Sequence, residues 1–334
     1  MATINATVAT LLDHAKRLDP DGKIAKIAEL LSQSNEMLLD CQYKEGNLPT
    51  GHRSTIRTAL PGVGFRRLNA GTLPTKSRTG QTEDATAILE AWAQCDLKVA
   101  ELNGNSAEFR MSENIAFIEA MAQEMQGTML YGNGGTDPEE FDGFMTRYAS
   151  TSAVNGQNVL LGGGAGADNS SILLVCWGEN VHGIYPKGSK AGLSHVDHGT
   201  QVIQNAGGVT GALMAAYMDQ YTWEGGLHVR DWRYAVRIAN IDISLLVANA
   251  GTTEADLTLL MIKAWHRIPS WVGVRGAWYV NRTVAQMLDV QRRDQVTAGG
   301  GLSYANVDGQ WVNTFRGLPI RTCDQMIEAE ALVS

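Results

Sequence analysis

No run of about 18 apolar residues occurs in this 334-residue chain, so no membrane-spanning helix is expected. No charged N-terminal region precedes an apolar stretch either, which leaves no visible signal peptide. Charged side chains make up only 19% of the residues, below the usual quarter. Acidic residues outnumber basic ones by 35 to 27, for a formal net charge of −8. A protein that wraps nucleic acid is normally basic, so tight binding along a DNA backbone is not expected. An acidic wall lining a DNA container is compatible, because it keeps a polyanion from sticking. Cysteine is scarce: Cys41, Cys95, Cys176 and Cys323 lie far apart and form no CxxC. They read as buried free thiols of a soluble protein made in a reducing cytosol.

Catalytic signatures are also missing. There is no HExxH, no nucleophile elbow and no Cys–His family context. Gly162-Gly163-Gly164-Ala165-Gly166 follows an apolar run, but Asn169-Ser170-Ser171 leads into a strand and not into a phosphate-binding helix. A flexible surface loop is expected there. Gly183-Ile184-Tyr185-Pro186-Lys187-Gly188-Ser189-Lys190 has the residues of a P-loop in the wrong order. His195-Val196-Asp197-His198 could offer two imidazoles and a carboxylate to zinc or iron. Gly192 and Gly199 flank it, so an exposed polar loop is the competing expectation. No catalytic residue, cofactor or metal is therefore assigned.

What is present is organisation. Residues 1–45 read as helix, with Ile24, Ile27, Leu31 and Leu38 at helical spacing and a break at Asp19-Pro20-Asp21-Gly22. Residues 46–81 carry Arg53, Arg57, Arg66, Arg67, Lys76 and Arg78 and no acid at all. Weak alternation there suggests a two-stranded ribbon, too polar for a core of its own. Residues 82–102 look helical around Ile88, Leu89, Trp92 and Val99. A longer helix is expected from Ser106 to Leu130, with a stripe of Ile115, Ile118, Ala122, Met125 and Met129, ending at Gly132. At about 1.5 Å per residue it spans roughly 37 Å.

Ser171–Trp177 reads as a buried strand, and Trp232–Ile238 as one with an apolar and a basic face. Thr253 is a candidate cap for a helix holding Leu257, Leu260, Met261 and Ala264. A strand at Ala277–Val280, a helix at Thr283–Val290 and a hairpin turn at Asp308-Gly309 follow. Glu101, Glu108, Glu113, Glu119, Glu124, Asp137, Glu139, Glu140 and Asp142 cluster around the long helix. The basic ribbon and this acidic belt are complementary, which favours docking between copies over nucleic-acid contact, since the ribbon has only Phe65 for stacking.

The order of these parts, an α+β arrangement, resembles the tailed-bacteriophage major capsid proteins of the Hong Kong 97 type, in particular the podophage-like branch. The resemblance rests on Met129–Asn133 with Phe141–Phe144, Ser171–Gly178, Gly183–Gly188, Arg230–Asp242 and Gly317–Arg321. It implies an N-arm at 1–45 and an extended E-loop with the following helix at 46–100. It implies a peripheral domain with spine helix 106–130 at 101–245, and an axial domain with the C-terminal segment at 246–334. The strand candidates precede the axial segment, so a rearranged strand order within that architecture is expected. The implied function is an icosahedral shell of hexamers and pentamers enclosing double-stranded DNA in the virion, assembled in the bacterial cytoplasm. Implied partners are further copies, a scaffolding protein, a portal and a cement protein, with no membrane. Arg53, Arg57, Arg66, Arg67, Lys76 and Arg78 would meet Glu113, Glu119, Glu124, Glu139 and Glu140 of a neighbouring copy. An encapsulin-like compartment shell, a metal-dependent enzyme built on His195, Asp197 and His198, and a nucleic-acid-binding protein are the rival readings.

Overall fold

The computed structural model describes residues 33–102, 106–204, 210–246, 255–294, 302–307 and 310–334. The expected helices before residue 33 and the turn at Asp308-Gly309 lie outside them. In chain order the first elements are α1 (Glu36–Asp40), β1 (Tyr43–Glu45), β2 (Gly51–Ala59), β3 (Arg78–Ala85), β4 (Ala87–Asp96) and α2 (Leu97–Ala100). Then come the long helix α3 (Ser106–Tyr131), α4 (Phe144–Arg147), β5 (Val159–Leu161), β6 (Asn169–Trp177), β7 (Val181–Tyr185), β8 (Leu193–Gln204) and β9 (Leu213–Val229). The last third holds β10 (Ala235–Asp242), α5 (Leu257–Trp265), β11 (Arg275–Val280), α6 (Arg282–Asp294), β12 (Leu302–Val307), β13 (Gln310–Phe315) and β14 (Leu318–Thr322).

Strand β6 is buried at every position, as its unbroken apolar run from Ile172 to Trp177 requires. It pairs antiparallel with β10 on one edge and β11 on the other, inside a seven-stranded sheet of order β12-β13-β14-β11-β6-β10-β5. Alternate residues serve two cores. Leu173, Val175 and Trp177 face Met129, Leu130, Phe144 and Tyr148. Ile172, Leu174 and Cys176 face Leu257, Met261 and Ala264 of α5 and Val284 and Leu288 of α6. A sheet covered on both faces explains why this strand shows no polar alternation. The expected division at residue 246 falls between β10 and β11, and both flank β6, so that cut runs through one sheet.

A second sheet, of order β1-β7-β9-β4, has β8 on the other edge of β9. Helix α3 packs on it through Met121 and Met125, against Leu89, Tyr221 and Trp223. The helix stops where Gly132 donates its N–H to the Thr128 carbonyl. A Cβ at Gly132 would stand 2.4 Å from the Phe141 carbonyl oxygen.

Several expectations are corrected. Residues 87–96 form a strand: Ala87, Leu89, Ala91, Ala93 and Cys95 recur at period two and turn inward, which outweighs their helical propensity. The inner stripe of α3 is Phe109, Met121, Met125, Gln126, Met129 and Leu130, while Ile115 and Ile118 are exposed. Trp232–Tyr234 is a short 3-10 turn capped by Asp231, so β10 begins only at Ala235. Its expected basic face is absent, because Arg237 is buried. The glycine run is not a free loop: Gly162 and Gly164 donate N–H bonds to the carbonyls of Ala239 and Asn240, extending along β10. Asp256 caps α5, accepting from Leu259 N at 2.9 Å, and the expected cap Thr253 lies outside the described residues.

Arg237 lies between Ala235 and Ala239, whose small side chains leave room for it on the same face. Its Nη2 meets Glu330 Oε2 at 2.8 Å, with side-chain exposures of 5% and 3%. Nη1 donates to the carbonyls of Met145 and Tyr148 at 3.0 Å each, and Nε to Ser171 Oγ at 3.1 Å. Tyr131 OH donates to the other oxygen of Glu330 at 2.6 Å. Four of the five guanidinium N–H groups and both Glu330 oxygens thus have partners. Removing one partner of such a pair costs about 3–5 kcal/mol.

Glu330→Ala is accordingly expected to lower the unfolding free energy of the isolated subunit by about 3–5 kcal/mol in urea titration; a loss under about 1 kcal/mol would remove the pair from the stability account. The four cysteines are free and buried, and burial pushes the thiols of Cys41, Cys176 and Cys323 up to about 12. A thiol reagent near pH 8 should label none in the native chain and all four in denaturant. Rapid native labelling would contradict the packing.

Candidate assembly surface

Strands β2 and β3 form a two-stranded sheet of their own, running from Gly51↔Ala85 to Ala59↔Arg78 with a bulge after Arg57. Nine residues at about 3.3 Å each carry this ribbon roughly 30 Å. Arg53 stands directly opposite Glu83 and pairs with it at 2.7 Å. One of the six expected cations, Arg53, is thus used within the ribbon itself. Arg57, Arg66, Arg67, Lys76 and Arg78 are exposed and form no ion pair among the described residues.

The tip, residues 60–77, is closed by Thr75 Oγ1 donating to the Gly62 carbonyl at 2.7 Å. Asn69 turns it with a φ of 62°, a left-handed conformation that Asn tolerates. Leu60, Val63, Phe65, Leu68 and Leu73 are each more than three-quarters exposed. A lone exposed apolar side chain is ordinary, but five on one excursion mark a contact surface.

The ribbon is anchored at its base. A Cβ on Gly51 would come within 2.2 Å of the Asp84 carbonyl oxygen. The Asp84 carboxylate accepts from Arg147 Nη1 at 2.8 Å, His228 Nδ1 at 2.7 Å and Val229 N at 3.1 Å. Burial pushes this carboxyl up, and the donors more than offset it, holding Asp84 below the usual carboxylate range.

The expected acidic partners are unequal. Glu124 and Glu139 are exposed. Glu119 accepts from Gln33 N at 3.0 Å and Gln123 Nε2 at 2.9 Å, and Glu140 from Asn133 N at 3.3 Å. Glu113 is half-buried.

His195-Val196-Asp197-His198 lies within β8, not in a loop, with a bulge between Asp197 and Thr200. The strand separates its side chains. His195 Nε2 meets Asp219 at 2.9 Å, and Arg110 Nη2 bridges Asp197 and Asp219 at 2.9 Å each. His198 instead bonds Gln220 at 2.9 Å and stacks on Trp92. No group of three or more His, Cys, Asp or Glu among the described residues is arranged to hold a metal. Arg110, Asp197, Asp219 and His195 floor a groove of about 430 Å³ between α3 and the β8–β9 pair, rimmed by Met111, Ile115 and Ile118. Gly199 N–H and Arg110 hold the Asp197 carboxyl below its ordinary range. Sequence reading missed Arg110 and Asp219 because their 109-residue separation leaves no local signal.

The model of the family described as "Major capsid protein GP7" matches residues 19–334. The chain belongs to that family. A chain in the near-atomic structure of bacteriophage Epsilon15 is 30% identical, with a TM-score of 0.80, covering 100% of this chain and 99% of that one. More distant likenesses include the bacteriophage JBD30 capsid (10% identity, TM-score 0.47, 89% and 92% covered) and the SrpI encapsulin of Synechococcus elongatus PCC 7942 (11%, 0.43, 65% and 91%). No curated protein matches significantly. The fold is the Hong Kong 97 type, and the chain is a major capsid protein of a tailed phage, a structural component of the virion that assembles into multimeric shells.

In this capsid protein the Arg110–Asp219 pair ties the spine helix to the sheet. Asp219 has a side-chain exposure of 4% but retains His195 and Asn114 as neighbours. Arg110→Ala should therefore cost the isolated subunit about 2–3 kcal/mol, somewhat below the usual cost of breaking a buried pair, read as a lower urea midpoint. An unchanged midpoint would show that the pair contributes nothing net.

Proposed function

We propose that copies of the chain close as hexamers and pentamers into an icosahedral shell around double-stranded DNA, each ribbon lying on a neighbouring copy. The observation that carries this reading is the ribbon, with five exposed apolar side chains at its tip and five exposed cations along the tip and strands. A tip of that composition is stabilised only when another surface covers it. The E-loop is then β2–β3 with residues 60–77, and the peripheral region is α3 with the five-stranded sheet. The axial region lies on the α5, α6 and β12–β14 side. Residues 1–45 serve as the N-arm.

Because Arg53 is occupied by Glu83, the intersubunit attraction falls to Arg57, Arg66, Arg67, Lys76 and Arg78. Glu124 and Glu139 are their best-exposed acceptors, with Glu113, Glu119 and Glu140 beside them. One exposed pair contributes about 0–1 kcal/mol; repetition over a closed lattice makes the sum decisive. The net charge of −8 suits a container that does not bind its contents. A scaffolding protein, a portal and a cement protein complete the assembly, which proceeds in the bacterial cytoplasm.

The triple change Arg57→Glu, Arg66→Glu and Arg67→Glu should leave the subunit folded by circular dichroism yet stop shell formation, viewed by electron microscopy with scaffold supplied. Normal shells from the folded variant would sink the ribbon-docking reading.

A further inference from the structure

Three histidines meet where the ribbon leaves the body. His52 belongs to β2, His182 to β7 and His228 to β9. Their ring centroids lie 4.5 Å (His52–His228), 5.1 Å (His182–His228) and 6.1 Å (His52–His182) apart. The registers fix this meeting: His182 stands opposite His228 in one sheet, and His52 opposite Asp84 in the ribbon. His228 Nδ1 donates to Asp84, since the carboxylate only accepts. His228 Nε2, His52 Nδ1 and His182 Nδ1 are buried with no hydrogen-bond partner. Buried polar atoms are nearly always partnered, so three orphans in one cluster call for a role. Metal ligation is not the role inferred, since no group of three or more His, Cys, Asp or Glu among the described residues is arranged to hold a metal.

We infer that the cluster is a proton-operated release for the ribbon: with the His52 and His182 rings neutral the base packs against the sheet, and their protonation drives it away. The charges around the rings support this. Arg147 reaches in from α4, Lys44 from β1 and Arg230 from the end of β9; Asp84 from β3 and Glu179 from the β6–β7 turn oppose them. Three cations already face two carboxylates, so each protonated imidazole adds to an unbalanced positive field. Asp84 is shared between Arg147 and His228 and offers His182 nothing.

Burial, with His228 and the nearby cations, pushes His182 down to about 4, and burial followed by His228 lowers His52. An imidazole freed by ribbon opening titrates near 6.5. The opened base therefore binds more protons than the packed one. Packing is fully favoured above about pH 6.5, weakens as the pH falls, and has lost this contribution below about pH 4.

This device goes beyond the shell reading and is tested without it. Amide hydrogen exchange on the full-length, unassembled chain, corrected for intrinsic rates, follows β2 and β3 between about pH 7.5 and pH 4.5. Their protection should fall at least about tenfold, the weight of one pKa unit, while β6 and β10 stay protected. In a His52→Asn, His182→Gln double variant, which leaves the Asp84–His228 bond in place, the fall should shrink below about threefold. Should the double variant not fold, His52→Asn alone, at the more accessible ring, should reduce the fall by a measurable part. Ribbon protection that does not change with pH in the wild type, loss spread evenly over β6 and β10, or an equal fall in the folded variant would each overturn the inference.

Discussion

The buried ion pair between Arg237 and Glu330 is the contact on which the body of this protein depends. It joins a central strand to the C-terminal segment, and its shell of acceptors and donors draws in the end of α3, the α4 turn and β6. Apart from α3 and α4, which follow one another, these segments are far apart in sequence. Burying two charges is costly unless every lone pair and proton is used, and here the cost is offset by a set of partners that only the native arrangement supplies. The pair therefore selects one packing among several that the apolar residues alone would permit. Asn240, which bonds both N and O of Val333, extends the same tie along the strand.

From that tie the division of labour follows. The seven-stranded sheet is sealed on both faces, so its position is fixed by two cores at once. The ribbon has no core and keeps its apolar side chains for another surface. The proposed shell uses both: a body held by two cores, and an arm that a neighbour covers.

Much of this was legible in the chain. The unbroken run Ile172–Trp177, the stop at Gly132 and the acid-free stretch 46–81 each announce their role by composition alone. What was not legible depends on long-range pairing. Ile88, Leu89 and Trp92 suit a helix as well as a strand, and only pairing with β9 decides between them. Arg237 reads as a surface residue until Glu330, 93 positions away, is placed beside it. Arg53 reads as free until the register sets Glu83 opposite. His195 and His198 read as one cluster until the strand sends them to different neighbours. In each case the deciding partner was not local.

The ribbon is also a lever. Its fulcrum is the tight contact at Gly51, and its arm is roughly 30 Å long. A tilt of about ten degrees at the base sweeps the tip by roughly 5 Å, close to one turn of an α-helix. In the proposed shell, such a tilt would bring the same side chains to neighbours set at different angles. Curvature across the closed surface would then be absorbed at the root of the arm, with the two cores behind it undisturbed.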